Sequence, residues 1–332
     1  MKTGTIGTSV ITTRMIDALK NTGNEVTAVY SRSADKAREF AASQGVKKAY
    51  SDLNAMLADP EIDTIYVASP NSLHYEQARK ALLAGKHVIA EKPFTSTRAQ
   101  AEELFALAEE KGLYLFEAIT TTHLPNYLMI KEAVRDGKIG KPRLVTGNYS
   151  QYSSRYNAYL EGKVTNIFDP KFDGGALQDI NVYNIHFIAG LFGRPRSVTY
   201  HPNKGFNGID TSGLLVMEYP DFTAVAVGAK DCSAPCEVWL EGDKATIGVH
   251  SSPGQVRTVR YYPPKGDMTG KKDADNSTDL SLPTHANHMD YEAADFRRII
   301  EEDDRPAYEQ LKAQTLLVAE ILEMAKAQRD AK

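Results

Sequence analysis

Cysteine is nearly missing from this sequence: Cys232 and Cys236 are the only two in 332 residues. Their C-x-x-x-C spacing has no second ligand pair nearby, which argues against a zinc site. The expected state is two thiols, free or buried, in a reducing cytosol. No apolar run approaches the roughly 20 residues needed to cross a bilayer, so a membrane-spanning role is excluded. Excess positive charge is absent as well: the net charge is -4 and the pI about 6.1. Nothing therefore favours nucleic acid or an anionic membrane surface as a partner. The N-terminus runs straight into an apolar strand without a secretory leader pattern, and a cytoplasmic location is expected. No internal repeat is found.

What is present fits a soluble globular protein of ordinary make-up, with 42% apolar and 25% charged residues,. The length allows two domains, each with its own core. In the first third, short apolar runs at residues 3–6, 25–30, 47–50, 64–68, 87–90 and 113–118 alternate with helical patterns at 11–20, 33–42, from about 51, 73–83 and 98–111. That alternation predicts a parallel sheet wound on both faces. Ligands bind such sheets outside the carboxyl ends of the strands. Polar clusters fall at three of those ends: Gly7-Thr8-Ser9, Ser69-Pro70-Asn71 and Glu91-Lys92-Pro93.

The remainder has a different rhythm. A helix is expected at about 126–136, a long strand at 142–152, and a helix after Gly174-Gly175. Strands at 197–201, 212–219, 222–230, 237–242, 246–250 and 258–262 follow at antiparallel spacing, with hairpin turns at 220–221 and 242–244,. Residues 265–281 read as an exposed loop, and helices at 288–302 and 306–328 close the chain. The fold class expected is an α/β nucleotide-binding domain over 1–120, then an α+β domain with an open, mainly antiparallel sheet over 121–332, the last helix able to pack across both. The strands at 213–217 and 223–227 give that sheet two apolar faces. One face is left for a partner, so a homodimer or a dimer of dimers through the sheet is expected.

The first turn, Gly7-Thr8-Ser9-Val10-Ile11-Thr12, keeps only the first glycine of a G-x-G-x-x-G dinucleotide fingerprint,. Alone it is equally a plain strand-to-helix turn. The second strand adds to it. Where an NAD-binding protein usually has an acid for the ribose hydroxyls, this chain has Ser31 and Arg32, with Lys36 one helical turn on. A serine and an arginine can hold the 2′-phosphate of NADP, so NADP(H) is expected in preference to NAD(H). Lys92 ends a buried strand beside a fixed-φ proline, a costly place for a charge unless it has work to do. On a helix, Asp179, Tyr183 and His186 are spaced by four and then three, and share one face,. For His186 alone, a satisfied core histidine is the simpler reading. No metal is expected.

Together Gly7-Thr8, Ala68-Ser69-Pro70-Asn71 with His74, Glu91-Lys92-Pro93, and Gly174-Gly175-x-x-x-Asp179-x-x-x-Tyr183 resemble the Gfo/Idh/MocA oxidoreductases, in order and spacing over essentially the whole chain. The resemblance implies a Rossmann NAD(P)-binding domain. It also implies that the EKP lysine stands by the nicotinamide and the substrate oxygen. Most members have histidine at the position of Tyr183. Tyrosine there, with Glu117-Ala118-Ile119 after the last strand, is similar to the dimeric dihydrodiol dehydrogenase branch, which is NADP-dependent. Ser9 replaces the usual second glycine. Thr122-His123-Leu124-Pro125 stands where that branch carries an arginine and aromatics, which leaves the substrate open among sugars, inositols and cyclic diols.

The chemistry implied is hydride transfer at nicotinamide C4. Lys92 polarises the substrate oxygen, Tyr183 exchanges the proton, Asp179 orients substrate hydroxyls or Lys92, and His186 assists. Two alternatives remain at this point: a cofactor-bound regulator without turnover, and glycoside cleavage through a transient keto intermediate.

Overall fold

A computed structural model describes residues 1–264 and 276–331. In chain order the elements are β1 (Lys2–Ile6), α1 (Val10–Asn21), β2 (Glu25–Tyr30), α2 (Ala34–Gln44), β3 (Lys48–Tyr50), α3 (Leu53–Leu57), β4 (Thr64–Val67), α4 (His74–Leu83), β5 (His87–Glu91), α5 (Arg98–Lys111) and β6 (Leu115–Ala118). There follow α6 (Pro125–Arg135), β7 (Pro142–Ser150), α7 (Tyr156–Leu160), a π turn at Leu177–Asn181 continuing into α8 (Val182–Phe192), β8 (Ser197–Lys204), β9 (Asp210–Glu218), β10 (Thr223–Ala229), β11 (Glu237–Gly242), β12 (Thr246–Val249), β13 (Val259–Tyr262), β14 (Thr278–Asp279), α9 (Met289–Glu302) and α10 (Arg305–Ala331). Of the loop expected at 265–281, residues 265–275 lie outside the described residues. Among the described residues no helix is long and apolar enough to cross a membrane.

Contacts divide the chain into two units: Met1–Ile119 with His285–Ala319, and Thr120–Thr284 with Glu320–Lys332. The contiguous second domain read from the sequence differs from this, because α9 and the first half of α10 group with unit one. Aromatic packing is the cause. Phe296 stacks on Phe116 at 4.6 Å, and Tyr308 sets its edge on Tyr114 at 5.1 Å. The Asn21 amide also bonds Asp290, and the Arg297 guanidinium bonds the Thr22 carbonyl. Hydrophobic period shows that a helix is amphipathic, not which core it covers.

Unit one is a six-stranded parallel sheet in the order β3-β2-β1-β4-β5-β6. The central strands are buried throughout, with Ile65, Tyr66, Val67, Val88 and Ile89 fully inside. This is why they read as continuous apolar runs rather than alternating ones. The chain reverses its direction of travel across the sheet between β1 and β4, so the crevice at a topological switch point opens where those two strands end.

Unit two holds an eight-stranded mixed sheet, β14-β13-β12-β11-β7-β10-β9-β8. All its pairings are antiparallel except β7 with β10, which run parallel. Its strands keep the period of two that a half-buried sheet requires. In β10, Ala224 and Ala226 are buried while Val225 and Val227 are partly exposed.

Candidate active site

The β1–α1 turn in unit one is tight. Gly7 has φ +122°, and a Cβ there would come within 2.6 Å of the Ala68 carbonyl oxygen, so only glycine fits. Ser9, in place of the second glycine, takes the N-cap of α1, and its N–H donates to the Thr12 hydroxyl at 3.4 Å,. The first turn of α1 carries no acid, and Val10 beside it is 73% exposed. The orphan N–H groups of this helix start can therefore receive an anion without repulsion. At the end of β2, Ser31 is half-buried, while Arg32 and Lys36 are exposed and in no ion pair among the described residues. In the loop after β4 the Ser69 hydroxyl is buried without a hydrogen-bond partner. Close backbone approach, a capped helix start free of acid, basic side chains at the next strand end and an unpartnered hydroxyl fit a nicotinamide dinucleotide.

The ends of β4 and β5 are joined through His74. Its Nε2 lies 2.8 Å from the Ser69 carbonyl and its Nδ1 3.1 Å from the Pro93 carbonyl. Burial pushes its pKa down, so the neutral ring, with one N–H, is favoured,. The neutral ring donates to one of these two carbonyls and packs against the other, which sets His74 between Ser69-Pro70-Asn71 and Lys92-Pro93 within unit one,. Lys92 itself is half-buried. Acids surround this strand end: Glu91 accepts from the Tyr66 hydroxyl at 2.6 Å, and Glu117 accepts from the Phe94 N–H at 3.2 Å. Burial raises the Glu91 pKa to about 7, against the pull of Lys92. Glu292 of α9 is wholly buried, neither carboxyl oxygen has a hydrogen-bond partner, and burial with Glu91 nearby pushes its pKa well up.

In unit two the GG…Asp179…Tyr183 segment opens as a π turn, not a regular α-helix. The wider turn changes the geometry that four-residue spacing implied. Asp179 and Tyr183 are partly exposed, but His186 is fully buried. His186 is thus buried inside unit two rather than part of an exposed polar face; it stays three residues from Tyr183 on the regular helix α8, and the π turn alters only the spacing of Asp179.

Long-range contacts hold this segment on the sheet. Buried Asp210 accepts from the Leu177 N–H at 2.7 Å, the Tyr200 hydroxyl at 2.8 Å and the Arg329 guanidinium at 3.1 Å. The Asn181 and Asn184 amides donate to the β10 carbonyls of Ala226 and Val227 at 3.0 and 2.9 Å. Glycines make this approach possible: a Cβ on Gly228 would fall 2.6 Å from the Asn181 Cβ, and one on Gly147 would fall 2.7 Å from the Asn184 side-chain oxygen. Asp179 forms an ion pair with Lys230. The Tyr183 ring packs beside Tyr149, centroids 5.7 Å apart, and against Gly254. The 120–123 turn is tied to the same loop, the Thr120 and Thr121 hydroxyls donating to the Gly254 and Pro253 carbonyls at 3.2 and 2.9 Å.

Within unit one, the strand-end residues Gly7, Thr8, Ser9, Ser31, Arg32, Ser69, Pro70, Asn71, Glu91, Lys92 and Glu117 share the carboxyl edge of one sheet. Within unit two, Asp179 and Tyr183 share one segment. Missed by sequence reasoning were Lys230, Asp210, Tyr149 and Gly254, and also Glu292. A lysine ending the apolar strand 223–229 resembles Lys92 ending β5, and that parallel was the available signal for Lys230.

Residues 1–119 match the family model for the oxidoreductase family GFO/IDH/MocA with an NAD-binding Rossmann fold, and residues 127–248 match the GFO/IDH/MocA C-terminal domain. The NADP(+)-dependent scyllo-inositol 2-dehydrogenase IolU of Bacillus subtilis is 36% identical over 326 residues, spanning 97% of this chain and 95% of that protein. A trans-1,2-dihydrobenzene-1,2-diol dehydrogenase of Xenopus tropicalis is 28% identical over 86% of this chain and 84% of its own length. Among solved structures, KijD10, a 3-ketoreductase from Actinomadura kijaniata in complex with NADP and TDP-benzene, superposes with a TM-score of 0.83 at 24% identity, over 99% of this chain and 97% of that one. Family models over both halves and a relative matched along nearly the full length agree with the geometry of the strand ends: the chain belongs to the Gfo/Idh/MocA family and is an NAD(P)-dependent oxidoreductase.

Proposed function

We propose that the enzyme oxidises a CH–OH group, or reduces the matching carbonyl, on a polyhydroxylated ring such as an inositol, a sugar or a cyclic diol, with NADP(H) preferred. The observation that carries this reading is the retention of Lys92 at the end of β5 together with a partly exposed Tyr183 and a partly exposed Asp179 paired with Lys230. A regulator without turnover has no need of that set. When bound, a nicotinamide cofactor supplies the hydride donor or acceptor. Lys92 donates a hydrogen bond to the substrate oxygen and polarises it. Tyr183 gives or takes the hydroxyl proton. Asp179 accepts from a second substrate hydroxyl. The names of the relatives, which cover an inositol and a dihydrodiol, support this substrate class.

The test is a screen of inositols, sugars and cyclic diols with each cofactor, read at the nicotinamide absorbance. Turnover with a polyol supports the reading. Cofactor binding without net turnover on any class, or product release with no net change in the cofactor, supports the regulator or the transient-keto route instead.

We further propose a cytoplasmic homodimer formed through the partly exposed face of the unit-two sheet. Val216, Val225, Val227, Trp239 and Tyr262 lie on it, and Leu144 is 38% exposed. An apolar face of this kind is what a partner copy covers. The two free thiols, Cys232 and Cys236, suit a reducing compartment,. A monomeric mass by light scattering at micromolar concentration overturns the dimer.

A further inference from the structure

We propose that Lys230 is a positioning residue of the active site, holding Asp179 as an ionised, oriented acceptor for a substrate hydroxyl. The inference rests on the reading of Asp179 as a substrate-orienting group. Lys230 directly follows β10, and its backbone is fixed on both sides. Its N–H donates to the Thr211 carbonyl and its carbonyl accepts from the Ser153 N–H, each at 2.9 Å. The Lys230 side chain is only 6% exposed, and its ammonium pairs with Asp179, which is 26% exposed. The acid nearest in sequence, Asp231, is engaged elsewhere, accepting from the Thr211 and Ser212 hydroxyls at 2.7 and 2.9 Å. The lysine is therefore committed to Asp179.

A buried ammonium persists only when paired. Here the pair is lopsided: the cation is sealed inside unit two, and the carboxylate is the member that reaches the surface. Asp179 lies within the π turn. An opposite charge in contact favours the ionised carboxylate, and an ionised carboxylate accepts hydrogen bonds but cannot donate them. A charge-assisted bond also fixes its orientation. The site so built selects a substrate with a hydroxyl that donates to Asp179, and disfavours an ether or a second carboxylate at that position.

The experiment measures kcat and KM across pH for Lys230→Met, Lys230→Arg, Asp179→Asn and the double variant Lys230→Met/Asp179→Asn. Losing an oriented charged acceptor is expected to raise KM by roughly 10-fold or more, with a smaller change in kcat. Without the ammonium, the Asp179 pKa rises, so the acid limb of kcat/KM moves to higher pH in Lys230→Met and returns toward wild type in Lys230→Arg. The double variant is expected to be no worse than Asp179→Asn alone. An unchanged KM and acid limb in Lys230→Met, beside a raised KM in Asp179→Asn, overturns the role of Lys230 only. An unchanged KM in Asp179→Asn overturns the reading beneath it. If Lys230→Met does not fold, the double variant leaves neither charge buried and carries the comparison: a KM well above that of Asp179→Asn overturns the proposal.

Discussion

The two units hold their candidate residues by different means. In unit one, the functional residues sit where strands end, and each is held by contacts reached within a few residues or from a neighbouring strand. Ser9 bonds Thr12, His74 bonds Ser69, and Glu117 bonds the Phe94 N–H. In unit two, Asp179 and Tyr183 sit on a segment whose position depends on groups far away in sequence: Asp210, Arg329, Gly147, Gly228 and Lys230. A parallel sheet presents ligand-binding turns as a by-product of its topology. A helix lying on a mixed sheet has to be docked, and the docking is done by buried polar side chains and by glycines that let backbones approach.

The largest effect expected tests whether the two units contribute different things. Lys92→Ala should abolish turnover while NADP(H) still binds. Tyr183→Phe should lose roughly 100- to 10,000-fold in kcat, the range of a general acid-base group. Activity of Tyr183→Phe within a few-fold of wild type would show that the proton comes from elsewhere.

This contrast also explains what could be read from the sequence. The parallel sheet, its strand ends, Lys92 and the turn at Gly7 were legible because apolar runs and punctuating residues are local signals. So was the antiparallel character of most of the second sheet, from hairpin turns such as the one closed by the Tyr219 N–H to Phe222 carbonyl bond at 2.9 Å. The parallel pairing of β7 with β10 was not, because α8, β8 and β9 intervene between them in sequence. The π turn that resets the spacing of Asp179 was invisible to a count of threes and fours, and so was the complete burial of His186, because spacing on a helix does not show which neighbours cover it. Lys230 and Asp210 carry no local signal in the sequence; only the fold brings Asp179 and Leu177 to them.

The next effect concerns the docking of unit two. Asp210 is fully buried and opposes Arg329, whose side chain is 8% exposed. Burial pushes the Asp210 carboxyl up while its three donors pull the other way. Asp210→Asn takes away the buried carboxylate and leaves the Arg329 guanidinium only the exposed Asp330, 2.8 Å away, as counter-charge; losing a hydrogen-bonded charged partner of this kind costs about 1.5–3 kcal/mol. Trp239 of β11 is the only tryptophan and lies in unit two. Its fluorescence should report a transition at markedly lower denaturant in Asp210→Asn. A shift below about 1 kcal/mol, the level of an ordinary single hydrogen bond, would break the claim that unit two depends on long-range docking.

A pH effect follows in unit one. Glu91 is raised from 4.5 to about 7, and Glu292 is raised well above 4.5, both chiefly by burial. The folded state therefore holds these protons more tightly than the unfolded chain does. Stability is greatest below the ordinary glutamate range and falls as pH rises through the folded values. Glu292→Gln keeps a neutral side chain at every pH. It should match wild type at about pH 4 and melt at a higher temperature at about pH 8. Calorimetry at the two pH values decides it; equal melting temperatures at alkaline pH would mean that Glu292 finds a partner on ionisation.

The smallest effect concerns cofactor choice, and it belongs to unit one alone. At the end of β2 no acid accepts from the 2′- and 3′-hydroxyls of an adenosine ribose, and none repels a phosphate. Arg32 offers a planar fork that can bind a phosphate in bidentate fashion and stack on a base. Ser31 adds a hydroxyl and Lys36 a charge. Both basic side chains are exposed and in no ion pair among the described residues, so no ion pair has to be broken for them to bind. A hydrogen bond to a charged group is worth roughly 1.5–3 kcal/mol, which is about 10- to 100-fold in affinity. NADP should bind better than NAD by that factor, and Ser31→Asp with Arg32→Ala should reverse the order. If the comparison of the units holds, neither change alters the unfolding transition reported by Trp239. Titration of both cofactors by intrinsic fluorescence decides the preference. Equal affinity in the unmodified protein would mean that Arg32 stays in solvent and that the helix start, not the end of β2, supplies the recognition.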